Sequence, residues 1–297
     1  MTTTNLKAKL LPYLLVLPAM AGIFAFFFYP FILNIINSFM QGTVQASNRR
    51  FVGFDNYIFV LRDPHLIRAV ITTIQWTVLC TIFQFLYGFA VAIYCSSGPK
   101  IGKTLKIIFV IPWAIPGIVA SLSWRWIFNG DVGILNTLLF NAGIIDEFIG
   151  WISDPRYAMT SVIIANVWKG APFYMLMIYA ALTTIPLEYY EAARIDGGGP
   201  IRIFFNITLP LVKDILIMSL TLGILWTSNF FEGIFALTGG GPARVTETLP
   251  LFIYNTAFSF FRMNDAAIPS IIIFIFCAGL GLLYVRLKKS QEEVAKW

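Results

Sequence analysis

At 297 residues the chain could form one large soluble domain or two small ones. However, 58% hydrophobic against 12% charged residues leaves more apolar surface than a domain of this size encloses. The same figures exclude disorder. The formal charge of +6 comes without a basic run interleaved with aromatics, so it reads as the positive side of membrane loops and not as a nucleic-acid surface.

Six stretches supply the roughly 20 apolar residues that a spanning helix needs, at 10–39, 69–95, 105–128, 158–184, 214–237 and 266–287. The pattern lacks the alternating dyad of a membrane barrel, so the expected class is an all-α integral membrane protein in a single 1–297 domain. Lys7 and Lys9 precede the first stretch as in a signal peptide. That stretch is too long for such a leader and no small-residue cleavage site follows, so it is expected to remain as an anchor. His65 stands beside Pro64 in a polar loop. Cys80, Cys95 and Cys277 lie in or at the end of apolar stretches without metal spacing, so no metal site, disulfide framework or catalytic residue is expected.

Between the spans, 129–157 carries Gly133-Ile134-Leu135-Asn136-Thr137-Leu138-Leu139, which reads as a short interfacial helix. Residues 238–265 open on the turn Thr238-Gly239-Gly240-Gly241-Pro242. The following Leu249–Tyr254 stretch reads as re-entrant or interfacial. Prolines 18, 30, 112, 116, 172 and 269 punctuate the spans, and Ile111–Gly117, with two of them, should bend strongly. An N-terminus inside the cell puts Lys7, Lys9, Lys100, Lys103, Lys106, Arg194, Arg202, Lys213, Arg286, Lys288, Lys289 and Lys296 on the cytoplasmic side. A smaller set, Arg49, Arg50, Arg62, Arg68, Arg156, Arg244 and Arg262, falls outside. Both termini are therefore expected in the cytoplasm. Arg125, near the outer end of the third span, is expected to snorkel to water.

The loop 185–213 differs from the rest. Pro186, Glu188 and Glu191 favour a helix start, and Leu187, Tyr190 and Arg194 share one face. Gly197, Gly198 and Gly199 end that helix and permit positive φ. A second amphipathic stretch, about 200–209, returns the chain to the membrane, so the loop reads as two short helices around a glycine break. Glu191-Ala192-Ala193, Asp196-Gly197, Phe204, Ile207 and Leu209-Pro210 closely resemble the EAA signature of ABC-importer permeases. Two positions depart from it: Gly198 is usually alanine, and Asp214 stands where proline is frequent. The six spans, the signature before the fifth and the Gly-Gly-Pro turn after it are most similar to the carbohydrate-uptake subgroup, of maltose and glycerol-phosphate type.

The resemblance implies a six-helix ABC-importer permease fold in a bacterial or archaeal cytoplasmic membrane. It also implies a non-catalytic subunit that pairs with a second homologous permease, two cytoplasmic ATPase subunits and an extracytoplasmic solute-binding protein, and that transports a sugar or oligosaccharide. ATP and Mg would lie on the partner ATPase, in accord with the lack of a Gly-x-x-x-x-Gly-Lys-Ser/Thr phosphate loop. It implies ATPase coupling through Glu188, Tyr190, Glu191, Ala192, Ala193, Arg194, Asp196 and Gly197. It implies a sugar site on the flanking spans, at Lys169, Gly170 and Phe173 and at Gly223, Trp226, Thr227, Asn229 and Phe230. There, rings would stack on sugar faces, polar groups would bond hydroxyls and glycines would admit the ligand. Lys169, near the bilayer centre, either binds substrate or anchors helices by pairing with Glu232. An ion-coupled secondary transporter would need a deep coupling acid, for which only the peripheral Glu232 offers. A membrane enzyme of sugar chemistry would need a paired acid that Asp146 and Glu147 lack.

Overall fold

The computed structural model describes residues 3–42, 49–98 and 101–294. Lys100 and Lys296 of the cytoplasmic set lie outside them. In chain order the helices are α1 Thr3–Ile23, α2 Tyr29–Ser38, α3 Asp55–Leu61, α4 Pro64–Ser96, α5 Gly102–Ala114, α6 Gly117–Ile127 and α7 Ile134–Asn141. They continue with α8 Ala158–Thr183, α9 Leu187–Ile195, α10 Pro200–Ile203, α11 Leu209–Ser228, α12 Glu232–Leu237, α13 Leu249–Tyr254 and α14 Met263–Val294. A short antiparallel pair, β1 Met40–Gln41 and β2 Arg50–Phe51, sets Met40 opposite Phe51. The chain divides into two units, residues 1–66 with 253–272, and residues 67–252 with 273–297.

In the first unit α1 and α2 are joined by a π-helical turn, Phe24–Phe28, as one helix. Another such turn, Phe204–Thr208, joins α10 to α11 in the second unit. Each sits just before a Leu-Pro or Tyr-Pro step, at Pro210 and Pro30. A proline ring clashes with the carbonyl four residues back, and the wider turn absorbs that clash without ending the helix. The apolar window of Leu11–Ser38 buries nothing within the chain, as a lipid-facing helix requires. Asn56 of α3 donates to the Ser38 and Met40 carbonyls at 3.1 and 2.8 Å, and the Ser38 and Tyr57 hydroxyls lie 2.7 Å apart. These bonds tie the strand pair to α3.

The core of the second unit runs between α4, α8 and α11, where Ala92, Tyr174, Met175, Ile178, Val212 and Leu216 are buried. In lipid, helix association relies on close packing and not on the hydrophobic effect, so small residues at crossings matter most. Gly88 of α4 is one: a Cβ there would strike the backbone of Ala171 and Met175 in α8.

Among the described residues five helices are long and apolar enough to span, and the third expected span makes the sixth in a broken form. It is a pair, α5 and α6, bent by 98°, so the count reaches six only if the pair is one span. Pro116 is the cause: it drives Ile115 into extended backbone (φ −72°, ψ 132°) and frees carbonyls at the end of α5. The fifth span also differs. Its helix begins at Pro200, ahead of Asp214, so the stretch 200–209 is the first part of that long helix and not a separate short one. It ends at Ser228, because the Asn229 side chain donates to the Leu225 carbonyl at 2.8 Å and takes the place of the next helical bond. Residues 232–237 are the separate short helix α12.

Candidate coupling helix and translocation seam

Helix α9 has no buried residue. Glu188, Glu191, Ala192, Arg194, Asp196 and Gly197 are exposed, and Tyr190 and Ala193 are half-buried. The Tyr190 hydroxyl accepts from Thr208 at 3.3 Å, which ties it to the next helix. The helix closes itself: Gly197 N–H donates to Arg194 at 3.0 Å and Gly198 N–H to Ala193 at 2.8 Å, with Gly197 at φ +78°. This is the paired 5→2 and 6→1 stop, whose left-handed residue is glycine for want of a Cβ. The result is a short rigid knob between two long helices, with Leu187, Tyr189 and Ile195 left bare on its surface.

The residues expected around sugar separate into two kinds. Gly170 and Gly223 meet neighbouring side chains and not open space. A Cβ at 170 would overlap the Gln84 amide, and one at 223 the Tyr174 phenol. They let α4, α8 and α11 approach one another. Phe173 and Thr227 are buried, and the Thr227 carbonyl accepts from the wholly buried Trp76 indole at 2.9 Å. Phe230 falls beyond the end of α11 and stacks on Trp76 at 6.2 Å, so it leaves the helical stripe its spacing suggested. Trp226 stays 55% exposed with its ring 4.8 Å from Phe173, and Asn229 is exposed beside it.

Lys169 donates to the Ile115 carbonyl at 2.6 Å, in the break between α5 and α6. That carbonyl is one that Pro116 freed, at the negative end of α5. Glu232 lies on the other side of the break, where a Cβ on Gly117 would overlap its carboxylate at the start of α6. Among the described residues no Lys169–Glu232 ion pair forms. The two charges instead flank the bend, each against the helix end of opposite sign. An ammonium carries three donors, so two of Lys169 remain for another partner. The cleft beside it, between Trp76, Ser121, Asn166, Lys169 and Phe230, holds about 10 Å³, at most one water.

Several residues that shape this region were not marked by sequence. Gln84 donates to the Asn166 carbonyl at 3.0 Å, joining α4 to α8. Both are polar residues inside apolar stretches, which is the signal that finds them. Asn136, within the expected interfacial helix, is fully buried and bonds Gly130, Ile149 and Trp151 at 2.8–3.1 Å, holding the loop before α8.

Residues 84–292 match the model of the "binding-protein-dependent transport system inner membrane component" family. The chain belongs to this family. The permease is 30% identical to the trehalose/maltose transport system permease protein MalF of Thermococcus litoralis, over 97% of this chain and 99% of that one. It is 32% identical to the sn-glycerol-3-phosphate transport system permease protein UgpA of Yersinia enterocolitica, over 93% of each. Its fold matches a chain of a bacterial ABC transporter involved in import of the acidic polysaccharide alginate. There the TM-score is 0.84 at 20% identity, over 97% of this chain and 98% of that one. The protein is thus a multi-pass membrane permease of binding-protein-dependent import.

Proposed function

We propose that the permease forms half of the pathway of an ATP-driven importer for a sugar or sugar-like solute. It would pair with a second homologous permease, two cytoplasmic ATPase subunits and an extracytoplasmic binding protein. The observation that carries this is the bare, self-terminated helix α9, whose exposed face has the composition of a docking surface and whose rigidity suits a lever. In this reading it sits in a cleft of the ATPase, both termini are cytoplasmic, and the membrane is the inner one of a bacterium or archaeon. This chain is non-catalytic, and ATP with Mg is held by the partner. ATPase closure moves α9 and, through it, α8 and the helix that starts at Pro200. The relatives' names, trehalose/maltose and glycerol phosphate, are those of polyhydroxylated solutes, which supports the substrate class.

Within the seam, Trp226 offers a stacking face backed by Phe173, and Asn229 and the two remaining Lys169 donors bond hydroxyls. Gly170, Gly223, Thr227 and Phe230 shape the wall from behind. The small cleft beside Lys169 leaves no room for sugar inside it, so the solute meets the exposed side of Trp226. The test is uptake of the sugar that the cognate binding protein captures in calorimetry, into proteoliposomes holding the complete complex. Uptake should need both ATP and the binding protein. Uptake that persists without ATP, or driven by an ion gradient, overturns the reading.

A further inference from the structure

Asn229 follows the last residue of α11, and its side chain is held more closely than a helix end requires. The amide nitrogen Nδ2 donates to the Leu225 carbonyl at 2.8 Å, lies 3.3 Å from Ser228 Oγ and meets Cys277 Sγ of α14 at 3.1 Å. Leu225, Ser228, Asn229 and Cys277 all belong to the second unit. A carbonyl can only accept, so the atom that faces Leu225 is the amide nitrogen and not its oxygen. A primary amide has two N–H groups. Leu225 takes one, and Cys277, with the more distant Ser228, takes the other. Oδ1 makes no hydrogen bond among the described residues, and Asn229 is exposed.

That oxygen sits beside the path proposed for the solute. Asn229 stands three residues after Trp226, whose ring is 55% exposed. Lys169 is its chemical opposite, since an ammonium only donates. Cys277 is half-buried. From sequence it reads as a small apolar filler, but in the fold its sulfur acts as a weak acceptor and brings α14 to the edge of the seam.

We propose that Cys277 is a positioning residue for the solute: its sulfur occupies the amide N–H that would otherwise be free, so that Asn229 offers an acceptor alone and selects a solute hydroxyl that donates. This rests on the sugar reading above. A group that only accepts, such as an ether, a fluorine or a carboxylate, finds no donor at this position, and an unmade hydrogen bond weakens binding. Serine at 277 keeps an acceptor there, whereas alanine does not. Without the acceptor the amide is held mainly through Leu225, its second N–H becomes available, and the selection fades.

The test uses the complete complex in nanodiscs without binding protein, with maltose and its monodeoxyfluoro derivatives as probes and saturation-transfer NMR as the readout. Fluorine takes the place of a hydroxyl at similar size but cannot donate. In the wild type the derivative fluorinated at the hydroxyl that meets Asn229 should bind about tenfold more weakly than maltose. In Cys277→Ala that gap should narrow to about threefold or less, through tighter binding of the derivative, and in Cys277→Ser it should stay near the wild-type value. A residue that served packing alone would shift all the probes together. The proposal is overturned by a gap that Cys277→Ala leaves intact, whatever its melting temperature, by an equal loss for every probe, by the lack of any penalised derivative in the wild type, or by the lack of saturable maltose binding. The uptake assay keeps the two readings apart. ATP-dependent uptake with a gap that ignores Cys277 removes the role of the thiol alone, whereas a gap that responds to Cys277 in a complex without ATP-dependent uptake removes the transport reading alone.

Discussion

Helix α9 and the seam between α8 and α11 hold their shapes by opposite means. In α9 each determinant is local: Pro186 before it, Glu188 in the first turn, and Gly197 and Gly198 closing the end with bonds to Arg194 and Ala193. In the seam, Gly170, Gly223 and Thr227 owe their surroundings to Gln84, Tyr174 and Trp76, residues distant in sequence or on another helix. A segment shaped locally can stay exposed to a partner without losing its form. A segment shaped by neighbours is fixed only when they are present, and a change there spreads into the core.

The largest expected effect tests the local side. Gly197→Val places a β-branched residue at φ +78°, at a cost of about 1–2 kcal/mol for that backbone. Because α9 packs against little, the permease should still insert and melt near the wild-type temperature. Binding-protein-stimulated ATPase activity of the purified complex should be lost. Full stimulated turnover in this variant would detach α9 from coupling.

The tertiary side should respond in reverse. Gly223→Leu forces a side chain into the Tyr174 phenol and should destabilise the fold by about 1–3 kcal/mol, seen as a lower melting temperature and poor yield. The Tyr174 hydroxyl is buried without a partner, so Tyr174→Phe alone should be neutral or mildly stabilising. Equal melting of Gly223→Leu and wild type would show that the helices separate freely at this crossing.

This contrast decides what was legible from sequence. The class, the bend at 111–117 and the α9 knob rest on composition, Pro116 and the glycine stop, all of which act within a few residues. The seam was legible only as a stripe at helical spacing. The stripe could not show that Asn229 ends the helix before Phe230, nor that the glycines face protein. The start of the fifth long helix at Pro200 was hidden because Lys213 and Asp214 resemble a membrane boundary, although the helix continues through them. The strand pair, 40–41 with 50–51, is too short to leave a periodic signal.

Lys169 stands between the two kinds, since its carbonyl partner is freed by the local Pro116 but reached across 54 residues of chain. Lys169→Met should destabilise the permease by about 1.5–3 kcal/mol, the range for a hydrogen bond to a charged group. It should also weaken the sugar in uptake. Adding Glu232→Gln should not restore melting, because the carboxylate lies against Gly117 and not against the ammonium. Rescue in the double variant would reinstate a Lys169–Glu232 pair.

The smallest effect is expected in the loop before α8. Arg156 bonds both carboxylate oxygens of Asp154 at 2.6–3.1 Å, which holds the Asp154 carboxyl below its ordinary range. Despite that geometry the arginine is exposed, and water and salt screen the pair. The turn does not depend on the charge. Asp154 Oδ1 accepts the Arg156 backbone N–H at 2.8 Å, and an asparagine oxygen accepts the same bond. The Asp154 backbone carbonyl, which takes the Tyr157 and Ala158 N–H groups at 3.1 and 3.0 Å, is untouched by the substitution. Asp154→Asn should therefore melt with the wild type at neutral pH and physiological salt. Any difference at low salt has a definite sign. A depressed carboxyl stabilises the fold above its unfolded pKa, and that contribution disappears as pH falls through the folded value. The two proteins should thus converge in acid, and divergence there would mean that Asp154 holds the loop by something other than its charge.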